Sequence, residues 1–202
     1  MAGQIALLIV GFVLTTVLGG ALGTFFQRQT WKHQHEIQLY EQVLERASST
    51  CYSLSKLIDR RLYRMVRLQA AIARCGEAGF TREDVETRMR AYDDVLFEWN
   101  DALNGNRAVV GTFFGEAARN TLETEIYERF AASGACLEKA YRDLASSRGR
   151  PAMVDCGLGQ LNALAYNFVS GMTRQIRDGT VVTPRVGRSL RRATGDPNAR
   201  AA

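Results

Sequence analysis

Residues 5–26 carry no Asp, Glu, Lys or Arg, and no other feature of this 202-residue chain limits its fold as strongly. At about 1.5 Å rise per residue, a helix over this run reaches across the ~30 Å hydrocarbon layer of a bilayer. The run predicts an uncleaved transmembrane helix. A secretory signal peptide is the competing reading, with Ala21-Leu22-Gly23 as a small-x-small cleavage site. Two things favour the anchor. The first four residues hold no Lys or Arg, and the run is longer than the ~7–15-residue core of a signal peptide.

Arg28 and Lys32 follow the run closely, and Arg46 lies further on. The positive-inside rule then predicts a single-pass membrane protein with its N-terminus outside and its C-terminal domain in the cytoplasm. Phe25, Phe26 and Trp31 would sit at the inner interface, where aromatic rings are favoured. In that compartment Cys51, Cys75, Cys136 and Cys156 are expected to stay reduced. None forms a C-x-x-C pair, so they read as small core residues rather than ligands or redox partners.

Beyond the membrane run the apolar spacing is helical. Ile37, Tyr40, Leu44, Ala47, Cys51, Leu54, Ile58, Met65, Leu68 and Ile72 alternate steps of three and four, with Arg61 where one hydrophobe is due. No Pro or Gly interrupts 24–75, so one long helix continuous with the span is expected, ending at Cys75-Gly76. Thr81 with Asp84 three positions on reads as an N-cap, followed by Val85, Met89, Tyr92, Leu96, Trp99 and Leu103. Asn104-Gly105-Asn106 is expected to interrupt or weaken that helix, and Gly115 to close it at the latest. A third seam runs from Leu122 to Leu144. Arg148-Gly149-Arg150-Pro151 breaks the chain, and a fourth seam runs from Val154 to Ile176 with Gly179 as its C-cap. The fold class expected is all-α, an N-terminal transmembrane helix continuous with a long helix of an antiparallel four-helix bundle. The domains are 5–26 in the membrane, 27–179 as the bundle and 180–202 as a basic tail, disordered in isolation.

Charge separates along the chain. Residues 28–74 hold nine bases and four acids, 75–147 eight and fourteen, and 148–202 nine and three, which lets oppositely charged helices flank one another. Arg60, Arg64 and Arg67 share a helical face. They form either an anion site, since guanidinium groups fork onto phosphate oxygens, or an ion-pair face against Asp93, Asp94, Glu98 and Asp101. Arg61 falls on the seam instead and reads as a buried polar layer that fixes register. Arg185, Arg188, Arg191 and Arg192 make the tail a candidate for anionic lipid. Gly11, Thr15, Gly19 and Gly23 recur every four residues and offer a close-approach face within the membrane helix.

Reactive constellations are not apparent. His33 and His35, the only histidines, do not share a helical face. No G-x-S-x-G or E-x-x-H occurs, Gly157-Leu158-Gly159 lacks the third glycine of a dinucleotide loop, and the paired acids face apart. No enzyme activity, cofactor or metal is expected.

Thr30-Trp31-Lys32-His33-Gln34, Ile58-Asp59-Arg60-Arg61-Leu62-Tyr63-Arg64-Met65 and Phe113-Phe114-Gly115 together resemble a loose group of bacterial inner-membrane proteins with no assigned activity. In that group a single N-terminal span precedes a helical cytoplasmic domain. The resemblance covers most of 5–178, implies that architecture and carries over no functional residue. The function expected is a scaffold, adaptor or regulatory subunit. Its partners would be the lipid bilayer and either another protein or further copies of itself, rather than nucleic acid. The runner-up is a membrane sensor or effector whose bundle rearrangement reaches the span.

Overall fold

Apolar residues spaced by three and four form helices over nearly all of the described residues. The computed structural model describes residues 2–77, 79–146 and 155–182. Side chains at 2–10, 13–15, 17–19, 21–22, 26, 28–29 and 145 lie outside that description. The helices are α1 (Ala2–Arg74), α2 (Arg82–Asn120), α3 (Glu128–Ser146) and α4 (Leu158–Arg177), with a π-helical stretch over Thr121–Tyr127 between α2 and α3. Among the described residues there is no strand, so the protein is all-α.

The chain divides into two units, 1–42 with 188–202 and 43–187. In the first, the hydroxyls of Thr16 and Thr24 donate to the carbonyls of Phe12 and Gly20, turning their polar groups back onto the helix. Trp31 stacks on His35 one turn away, ring centroids 5.5 Å apart. Among the described residues no helix is long and apolar enough to cross a membrane. Most side chains of the uncharged run, those of Thr15 and Gly19 with them, lie outside the described residues, as does the side chain of Arg28. The tail arginines, Arg185, Arg188, Arg191 and Arg192, and the Arg148–Pro151 break also lie outside them.

The second unit holds the core. The seam expected from Ile37 packs only from Val43 and Leu44 onward, because Ile37 is exposed. Leu54, Ile58, Met65 and Leu68 of α1 meet Tyr92 and Trp99 of α2, Phe130 and Leu137 of α3, and Leu161 and Met172 of α4, all fully buried. Each such side chain contributes about 1.5–3 kcal/mol by leaving water. The helical seams of all four elements therefore converge on one bundle-like core.

The helix boundaries follow local chemistry. At the start of α2, the Thr81 hydroxyl accepts from the Asp84 amide at 3.2 Å, and the Asp84 carboxylate accepts from the Thr81 amide at 2.8 Å. This reciprocal capping satisfies donors that a helix start leaves open. Asn104-Gly105-Asn106 does not interrupt α2, which stays helical there. The real break is Gly115, at φ 86° and ψ 170°, a conformation that only glycine adopts readily. Gly157 takes the left-handed conformation just before α4, and Gly179 just after it. The fourth helix begins at Leu158, and Val154, the first residue of the expected seam, lies outside the described residues.

Reading all four cysteines as reduced is corrected for two of them. Cys136 of α3 and Cys156 before α4 form a disulfide. Their sequence separation of 20 carries no pairing signal, but the return of α4 against α3 brings their Cα atoms to 5.6 Å, within bonding reach. Cys51 and Cys75 are free thiols.

Candidate functional site

Arg60, Arg61, Arg64 and Arg67 lie close together on α1 and meet three different environments. Arg60 reaches across to α2 and pairs with the Glu98 carboxylate, leaving both side chains partly exposed. An exposed pair of this kind contributes at most about 1 kcal/mol.

Arg61 points the opposite way and is only 3% exposed. Its guanidinium lies over the rings of Trp99, at 5.0 Å from the centroid, and Phe130, at 4.6 Å. Cation–π attraction strengthens when the cation is desolvated, to about 2 kcal/mol. The guanidinium Nε and Nη1 are buried and have no hydrogen-bond partner among the described residues. Burial lowers the Arg61 pKa from its usual value, against the opposing influence of Tyr92. Burial likewise raises the Tyr92 hydroxyl. Gly134 of α3 makes room for that hydroxyl, since a Cβ placed there would sit 2.5 Å from it. A residue with no side chain therefore admits the tyrosine.

Arg64 and Arg67 face a cleft between α1 and α2, of about 240 Å³. Tyr63 completes the α1 wall; Asp84, Thr87, Arg88 and Ala91, on one face of α2, form the other. Among the described residues no carboxylate lies within ion-pair distance of Arg64, Arg67 or Arg88. The Arg88 Nε is buried without a hydrogen-bond partner. Asp84, the one acid in the lining, is held below the usual carboxylate range by the Thr81 amide and hydroxyl. The Arg88 charge adds to that lowering, and one Asp84 oxygen, Oδ2, serves the helix cap.

The structure thus brings Arg64 and Arg67 together with Arg88, and withdraws Arg60 from them. Arg88 carries no mark in the sequence, since it lies in the acidic segment and only the pairing of α1 with α2 reveals it. Elsewhere on α2, burial, then Glu138 of α3 and the adjacent Asp94, push the Asp93 carboxyl above its usual range. Gly11 and Gly23 lie on the expected close-approach face, and a Cβ at either meets no atom within 4 Å. Among the described residues no group of His, Cys, Asp and Glu could hold a metal ion. No protein-family model, curated protein or solved structure matches the chain.

Proposed function

We propose that this is a membrane-anchored helical scaffold or regulatory subunit that works through protein–protein contacts at the inner membrane. The anchor is the uncharged run 5–26, continuous with the first helix of an antiparallel four-helix bundle. The observation that carries the reading is the outer face of α1. Tyr52 and Tyr63 are 71% and 57% exposed, and Val66 is exposed beside them. They are separated by eleven and three residues, so they share one stripe of the helix with Asp59 and Ala70. Aromatic rings that combine large area with few rotamers are favoured where proteins meet. The opposite face of the same helix is locked in the core, so the stripe is presented on a rigid support.

Photo-crosslinking in living cells tests this reading. A benzophenone amino acid at Tyr52 or Tyr63 should give a discrete protein adduct, and one at exposed Glu86 of α2 should not. Equal yields at all three positions, or no adduct at any, would contradict it.

Arg28 and Lys32 favour the cytoplasm for the bundle. A second reading of the compartment rests on the Cys136–Cys156 disulfide, because such bonds persist in oxidising compartments. It places the bundle outside the cytoplasm. Fluorescence of a green fluorescent protein fused after Ala202 supports the first reading; activity of a fused periplasmic alkaline phosphatase supports the second.

A further inference from the structure

We infer that the cleft between α1 and α2 binds a small phosphate-bearing molecule through Arg64, Arg67 and Arg88. Three arginines line a space of about 240 Å³ with one acid, Asp84, and among the described residues none of the three has a carboxylate within ion-pair distance. Asp84 accepts from the amide and the hydroxyl of Thr81 on one oxygen, Oδ2, each at 2.8 Å, and its single charge offsets only part of that of three arginines. Arg60, on the same side of α1, is consumed by Glu98. The contrast separates a paired arginine from three that await an anion.

Arg88 lines the α2 side of the cleft, opposite Arg64 and Arg67 on α1. Phosphate offers the oxygen pairs that guanidinium forks match. The volume is below the ~300–1,000 Å³ of pockets that enclose drug-sized ligands. It suits a phosphomonoester or diphosphate rather than a nucleic-acid strand. Tyr63 and Ala91 add apolar surface for a short organic portion.

The same phosphate chemistry is found in soluble metabolites and in lipid headgroups, and one experiment separates them. The full chain in neutral detergent is titrated calorimetrically with inorganic pyrophosphate and glycerol 3-phosphate at low salt. In parallel it is mixed with vesicles of phosphatidic acid or of phosphatidylcholine alone. Pyrophosphate should bind and raise the melting temperature. Arg67→Gln and Arg88→Gln should each weaken binding by about tenfold or more, the loss expected for one charged hydrogen-bonding partner. Arg60→Gln should bind as the parent does. Binding only to phosphatidic acid vesicles, lost in the same two variants, assigns the phosphate to a lipid headgroup. No binding to any of these probes overturns the inference, and so does an Arg60→Gln loss equal to that of Arg67→Gln. The melting transition of each unliganded variant shows that it is folded before its affinity is compared.

Discussion

Val182 donates its backbone amide to the carbonyl oxygen of Phe113 at 2.8 Å, and Gly115 is the reason that carbonyl is open. In an uninterrupted helix the Phe113 carbonyl would accept from the amide four residues on. The turn at Gly115 breaks that ladder, and the segment after α4 takes the vacated acceptor while burying Val181. One glycine thus both bends α2 and fastens the end of the bundle to it.

Gly115→Ala should therefore destabilise the bundle by about 1–3 kcal/mol, the cost of a backbone region that glycine alone adopts freely. Space is not the cause, since the new Cβ would meet the Val182 methyl at an ordinary 3.6 Å. Urea unfolding checks this; an unchanged midpoint would show that the bend relaxes without loss.

The Tyr92–Gly134 contact gives a prediction with its own rescue. Gly134→Ala should lower the melting temperature sharply, because its Cβ would fall 2.5 Å from the Tyr92 hydroxyl oxygen. The ring carbon behind that oxygen is at 3.8 Å, so removing only the hydroxyl relieves the clash. Tyr92→Phe combined with Gly134→Ala should be more stable than Gly134→Ala alone. Additive losses in this double-mutant cycle would contradict the geometry.

Arg61→Leu should leave the bundle folded and as stable as the parent, or more so. Two of its guanidinium nitrogens are buried without partners, and apolar replacement of such a charge is often tolerated or favourable. Calorimetric melting checks this. A large loss would mean that stacking on Trp99 and Phe130 outweighs the desolvation.

Asp93→Asn should stabilise the protein near neutral pH and have no effect in acid. The folded-state pKa of Asp93 is raised by burial and by Glu138 and Asp94, so its charged form disfavours the fold. That penalty is absent below the unfolded pKa and is complete above the folded one. The benefit of the amide should therefore grow as pH rises through the carboxylate range. A benefit independent of pH would assign it to something other than charge.

Cys136→Ser should cost about 3 kcal/mol under non-reducing conditions, the chain-entropy value for closing a loop of this size. The same loss should follow when the parent is unfolded with dithiothreitol present. If reductant leaves the parent's stability unchanged, the bond does not form in the protein as made.

Much of the bundle was legible because periodicity and punctuation agreed. Leu54, Ile58, Trp99, Phe130 and Met172 all stand at seam positions and are all buried, since amphipathic spacing directly encodes the face that leaves water. Thr81 with Asp84, Gly115 and Gly179 likewise marked real helix ends. What escaped was whatever depends on which seam meets which. Neither the disulfide, nor the fit of Tyr92 over Gly134, nor the convergence of Arg88 with Arg64 and Arg67 leaves a pattern along one segment. Asn104-Gly105-Asn106 misled for the opposite reason, a local helix-weakening signal overridden by packing of Trp99 and Val110 on either side.

The anchor is the claim on which the rest depends, and extraction of membranes with alkaline carbonate tests it most directly. The full chain should stay in the membrane pellet, and Leu14→Arg with Leu18→Arg should move it to the supernatant, because each central arginine costs about 2.5–3.5 kcal/mol in a spanning helix. Release of the unsubstituted chain into the supernatant would contradict the account.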